Sequence, residues 1–225
     1  MKSLKEILEA SILADIDDQL ESGDEALKSV VKKFIEENYY ISKGKIIISD
    51  TMNADRKFEV SCTGSVYAED DITSLEHNMF IWTHIDKRFD CSDCNKLTSL
   101  KGAPKTVGEA FVCSVCKSLK SLDGAPETVG HSFLCNNCRS LESLEGAPKE
   151  VGGSFDCGFC NRLESLEGAP KKVGISFDCS FCYKLESLEG APEIVGDSFY
   201  CHDCKGEFDM KDVKKVCNVK GRIMT

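Results

Sequence analysis

Residues 155–176 read FDCGFCNRLESLEGAPKKVGIS, and this 22-residue phrase decides the fold. It starts six times, at Phe89, Phe111, Phe133, Phe155, Phe177 and Phe199. Every copy opens Phe-x-Cys-x-x-Cys, and the first five continue x-x-Leu-x-Ser-Leu-x-Gly-Ala-Pro-x-x-Val-Gly. A fixed period of this length marks a solenoid, in which one coil cannot bury its own apolar face but buries its neighbour's. Phe at position 1 and Cys at position 3 point the same way on a short strand. Cys at position 6, Leu at positions 9 and 12 and Val at position 19 complete an inward set. Stacking turns these positions into continuous ladders, such as Leu97, Leu119, Leu141, Leu163 and Leu185. The fold class is therefore mainly β with N-terminal helices: a parallel β-solenoid.

Two rows of glycine mark corners. Gly102, Gly124, Gly146, Gly168 and Gly190 precede Ala-Pro; Gly108, Gly130, Gly152, Gly174 and Gly196 follow the valine. Each row predicts positive φ or a close approach of backbone. All five prolines belong to the repeat and fix the second corner, where a strand cannot continue.

Outward from the repeats the pattern loosens. Residues 1–44 predict a helical cap made of two helices within 3–38, the second carrying Leu27, Val30, Val31, Phe34 and Ile35 at helical spacing. Residues 45–88 predict irregular β capping coils: Ile46-Ile47-Ile48, then Phe58, Val60 and Cys62 alternating with polar residues, then Val66-Tyr67-Ala68, then Phe80 and Trp82. Residues 89–208 hold the six repeats. Residues 209–225 predict a C-terminal cap with one or two helical turns and a last strand that blunts the sheet edge.

The chain has 225 residues and a formal net charge of −10, which argues against a binder of nucleic-acid backbones. No apolar run reaches the roughly 20 residues a membrane span requires, so no membrane partner is expected. The start lacks a continuous apolar segment of the secretory kind, which predicts a cytoplasmic chain with reduced thiols.

Twelve of the fourteen cysteines belong to the six Cys-x-x-Cys pairs. The 18 residues between Cys94 and Cys113 match a four-cysteine zinc spacing. Zinc sites shared between neighbouring copies would make odd and even copies differ, and they do not alternate. Cysteine also buries readily as a small apolar group. The leading expectation is two buried ladders of reduced thiols with no cofactor. Structural zinc, disulfides between coils and a redox motif are the alternatives.

The repeat resembles leucine-rich repeats, with Phe-x-Cys-x-x-Cys in the place of Leu-x-Leu-x-x-Asn/Cys, and is most similar to the BspA-like leucine-rich repeats of bacteria. Leu-x-Ser-Leu-x-Gly-Ala-Pro, and the ending Asp-Val-Lys-Lys-Val-Cys-Asn-Val-Lys-Gly-Arg-Ile (212–223), resemble uncharacterised phage and bacterial repeat proteins. Here cysteine replaces leucine at the inner strand position, and the first Leu comes one residue later. The resemblance implies a non-enzymatic protein-binding scaffold, phage-encoded and directed at a host or virion protein, acting in the host cytoplasm. It implies no catalytic residue, and no nucleophile elbow, phosphate-binding loop or His-Glu-x-x-His occurs in the sequence. A zinc-binding structural or regulatory protein and a passive assembly component are the other readings.

Binding by a solenoid falls on residues that the fold leaves free. The protein-binding candidates are Val112, Leu134, Asp156, Asp178 and Tyr200 between Phe and the first Cys, Phe159 and Phe181 between the two cysteines, and Tyr183 just after them. The aromatic members cluster on copies four to six, with Asp156 and Asp178 beside them. His202 is expected as an exposed strand residue.

Overall fold

The computed structural model describes residues 23–225, so the first of the two expected helices lies outside the described residues. The second is present as α1 (Gly23–Asn38) and buries Val31 and Ile35. The chain then builds two nine-stranded sheets. One contains β1 (Tyr39–Ser42), β4 (Ser65–Ala68), β6 (Phe89–Asp90), β8 (Phe111–Val112), β10 (Phe133–Leu134), β12 (Phe155–Asp156), β14 (Phe177–Asp178), β16 (Phe199–Tyr200) and β18 (Ile223–Met224), in that spatial order. The other runs from β2 (Ile46–Met52) through β3 (Phe58–Cys62), β5 (Phe80–Ile85), β7 (Thr106–Val107), β9 (Thr128–Val129), β11 (Glu150–Val151), β13 (Lys172–Val173) and β15 (Ile194–Val195) to β17 (Asn218–Val219). Each turn of this parallel β-solenoid contributes one short strand to each sheet. The second sheet is an addition to the expected picture, which took the Val position only as an inward residue.

The register is one repeat per rung. Phe133 pairs with Phe111 on one side and Phe155 on the other, and Val151 with Val129 and Val173. In the first sheet each N–H reaches the next coil, as in Cys135 N–H to the Asp156 carbonyl at 2.8 Å. In the second it reaches the preceding coil, as in Gly130 N–H to the Val107 carbonyl at 2.9 Å. The inward set is buried throughout as expected: all six Phe, the twelve repeat cysteines, and the Leu and Val ladders. Successive Phe rings from Phe89 to Phe199 form one column, with centroids 5.1–5.7 Å apart.

The two glycine rows do different work. Gly102, Gly124, Gly146, Gly168 and Gly190 have φ of +82° to +93°, a conformation that disfavours a side chain. The second row has ordinary φ but no room: a Cβ on Gly152 would lie 2.1 Å from the carbonyl oxygen of Gly130, one coil back.

Both ends are finished differently. Tyr39–Ser42 leaves the expected helical cap and pairs antiparallel with β4, and β2 pairs antiparallel with β3. The parallel stack therefore begins at β3 and β4, and its first pairing is irregular: the β3–β5 register shifts between Val60 and Ser61. A buried aromatic group joins cap to stack. His77 stacks on Phe80 at 4.2 Å, and its Nε2 shares a hydrogen bond of 2.9 Å with the Tyr39 hydroxyl. Burial holds His77 neutral, its pKa lowered to about 3. At the far end Asp209 caps α2 (Met210–Val216) in a capping box with Asp212, and Val213 anchors the helix. β17 and β18 then add one last strand to each sheet.

A third corner uses no glycine. Asp93, Val115, Asn137, Phe159, Phe181 and Asp203, the residues just before the second cysteine, all have φ between +56° and +63°. Asp and Asn tolerate this left-handed conformation, whereas a β-branched residue is a genuine outlier there. Replacing Val115 by Asn, the residue one rung on at Asn137, is expected to stabilise the protein by about 1 kcal/mol. Thermal unfolding of the single variant checks this, and an unchanged or lowered midpoint would show that the corner carries no strain.

Candidate functional site

The expected site residues divide between two surfaces. Along the first sheet, Asp90, Val112, Leu134, Asp156, Asp178 and Tyr200 form a cross-strand row. Val112 is 3 % exposed, which corrects its expected place on an open face: its short side chain is covered between rungs only about 4.8 Å away on either side. Leu134, Asp156, Asp178 and Tyr200 are half-buried.

The two aspartates are structural where they stand. Asp156 Oδ1 accepts the Gly158 N–H at 2.9 Å, and Asp178 Oδ1 accepts the Ser180 N–H at 2.8 Å. Asp90 does the same for Ser92. Each carboxylate thus turns the chain into the left-handed corner as an Asx turn.

Burial, with the Asp178 charge one rung away, raises the Asp156 pKa to about 6 despite the Gly158 hydrogen bond. Because the folded value lies above the unfolded one, protonation stabilises the fold. That contribution is complete below about pH 4 and lost as pH rises through 6. Asp156→Asn keeps the acceptor and removes the charge. It is expected to be more stable than the parent by on the order of 2 kcal/mol at pH 7.5, with the gap closing by pH 4. His77 opposes this trend, since its folded value is lowered and its contribution fades as pH falls below about 6.5, but it is common to both proteins. Urea midpoints of the pair across pH 4–8 isolate the aspartate. A constant gap would refute the assignment.

The second surface is the left-handed corner and the residues after it. Phe159 and Phe181 stack face to face with centroids 4.4 Å apart and planes 12° apart. The His202 ring meets Phe181 edge-on at 4.7 Å, and Tyr183 meets it edge-on at 6.5 Å. Phe159 is 44 % exposed and Tyr183 56 %, while Phe181 is half-buried beneath its neighbours. The structure thus brings Phe159, Phe181 and Tyr183 together and leaves Val112 and Leu134 apart from them. His202 lies in the turn after β16, half-buried against Phe181, and not exposed on a strand as expected; its Nδ1 pairs with Asp203 at 2.9 Å.

A row of cations, missed in the sequence reading, borders the aromatic corner. Each repeat places one just after its second cysteine: Lys96, Lys117, Arg139, Arg162, Lys184 and Lys205, all exposed. Arg162 pairs with Glu142 at 3.1 Å, Lys184 with Glu164 at 3.6 Å, and Lys205 with Glu186, each bridging to the preceding coil. The signal was a basic residue at position 7 or 8 in every copy.

All fourteen cysteines are buried free thiols. In the second ladder each thiol from Cys116 onward donates to the carbonyl of the first cysteine one coil back, as in Cys116 to Cys91 and Cys138 to Cys113, both at 3.1 Å, while Cys94 donates to the Glu69 carbonyl. Burial pushes Cys94 and Cys182 up to about 12, which keeps both protonated and poorly nucleophilic. Among the described residues no three His, Cys, Asp or Glu side chains converge where a metal ion could be held, and no helix is long and apolar enough to cross a membrane.

No protein-family model matches the chain, and no curated protein or solved structure matches it significantly.

Proposed function

We propose that the protein is a non-enzymatic protein-interaction scaffold whose contact surface centres on Phe159, Phe181 and Tyr183. One observation carries this reading: two phenylalanines stack at consecutive corners, one of them 44 % exposed, with both backbones in a conformation that opposes their side chains. Equivalent corners use Asp93, Asn137 and Asp203, so the fold itself does not require an aromatic there. Strain retained without a folding benefit points to a surface role, and exposed aromatics are typical anchors of protein interfaces.

The coil belongs, in this reading, to the leucine-rich-repeat type, since Phe-x-Cys-x-x-Cys occupies the strand and turn that Leu-x-Leu-x-x-Asn/Cys would fill. A phage origin and a host or virion target rest on the sequence resemblance alone.

Parallel capture with the wild type and with Phe159→Ala/Phe181→Ala tests the function. The double variant is expected to keep its circular dichroism and thermal midpoint and to lose the captured protein. Identical capture by both baits, or recovery of nothing but further copies of the chain, would sink the interaction reading in favour of a passive assembly component.

A further inference from the structure

The cation row changes character halfway along the solenoid. In repeats four to six its members are neutralised by Glu142, Glu164 and Glu186 on the preceding coils. In the first three repeats the acid is missing: the equivalent of Glu142 is Thr98 in the first copy and Lys120 in the second. Lys96, Lys117 and Lys120 therefore form no ion pair among the described residues, and Arg139 donates only to the Asn137 side chain, at 3.1 Å. A chain of net charge −10 thus keeps one row of unneutralised cations, directly continuous with the aromatic corner.

The continuity is visible in two contacts. Arg139 touches Asn137, and Tyr183 touches Phe181, so the cation row and the corner row are neighbours across the surface. The corner row steps from Val115 through the short Asn137 to the Phe159–Phe181 pair. One face of Phe159 is taken by Phe181; the corner one repeat back is Asn137, whose side chain accepts from Arg139.

We propose that this strip binds an extended acidic segment of a partner protein. Carboxylates of the segment pair with Lys117, Lys120 and Arg139, and an apolar side chain rests on Phe159 above Asn137. The inference deepens the scaffold reading and depends on it. From Lys117 in the second repeat to Phe159 in the fourth is two rungs, about 10 Å, the length of about three residues of extended chain. Single-stranded nucleic acid also uses cations beside aromatics. It is disfavoured here because the Phe rings are stacked on each other, so most of their faces are closed to bases.

Calorimetric titration with three synthetic peptides, (Glu-Leu)4, (Ser-Leu)4 and (Lys-Leu)4, tests this against the parent, Lys117→Glu/Arg139→Glu and Phe159→Ala/Phe181→Ala. (Glu-Leu)4 is expected to bind, to weaken with salt, and to lose about tenfold in affinity in either double variant. Absence of (Glu-Leu)4 binding below about 1 mM, or an unchanged affinity in Lys117→Glu/Arg139→Glu, overturns the acidic-partner proposal. So does preferential binding of an eight-nucleotide oligothymidylate to the same residues. If (Ser-Leu)4 binds equally well and only the Phe variant weakens it, the acidic partner falls and the scaffold reading stands. Peptide binding indifferent to both double variants removes both.

Discussion

Gly152→Ala is expected to cost about 3 kcal/mol or more, although the change adds a single methyl group to an exposed position. Its Cβ would lie 2.1 Å from the Gly130 carbonyl oxygen and 3.0 Å from the carbonyl carbon, both backbone atoms of the coil below. No rotamer relieves such a clash, because the two coils are joined by the Gly152 N–H bond to Val129 and by the ladder beyond it. The coils would have to part, opening the ladders beneath. Gly158→Ala is the matched control. There the nearest atom to an added Cβ is the Ser180 carbonyl oxygen at 3.2 Å, and the equivalent positions already carry Ser92, Ser114, Asn136 and Ser180. It should cost under about 1 kcal/mol. Urea unfolding followed by circular dichroism measures both, and equal losses at the two glycines would refute the close-approach account.

The second large effect belongs to the phenylalanine column. Phe155 is fully buried, 5.3 Å from the Phe133 ring and 5.6 Å from Phe177. Phe155→Ala should cost about 3–5 kcal/mol through lost burial and the cavity left behind. The array adds a consequence that a globular core would not show. Stability in a solenoid is a sum of coil terms and nearest-neighbour terms, so weakening one interface in the middle uncouples the two halves. The urea transition is expected to broaden or divide, with the apparent m-value falling. Phe199→Ala, with Phe177 its only ring neighbour in the column, should cost less and leave a single transition. A Phe155→Ala protein that unfolds in one sharp step at a lower midpoint would show coupling stronger than nearest-neighbour.

The parts of this molecule that the sequence announces are those where one residue type repeats at one position. Phe133, Cys135, Leu141 and Leu144 declare the inward set because each recurs at every rung and each faces the core. The second sheet was hidden because Thr128–Val129 and its equivalents are two residues long, too short for any alternation. The antiparallel strand Tyr39–Ser42 was hidden because it follows α1 with no glycine or proline between them. The left-handed corner was legible in Asp93, Asn137 and Asp203, which favour that conformation. Val115, Phe159 and Phe181 at the same position argue the other way and concealed it. Of the candidate site, the aromatic cluster was readable from spacing. The burial of Val112 was not, since it depends on which neighbours lie one rung away. The turn-forming role of Asp156 and Asp178 was written in the sequence as an aspartate two residues before a turn amide, but it reads equally well as a surface charge.

The junction between cap and stack holds the one tryptophan of the chain. Trp82 is 1 % exposed, with Tyr39 edge-on at 5.3 Å and Phe80 at 5.6 Å. Its intrinsic fluorescence is therefore a built-in reporter of the first turns, while the phenylalanine column is nearly silent at the same wavelengths. A coil lost at the far end would leave that emission unchanged, so the optical signal from the indole dates the opening of one end of the molecule only.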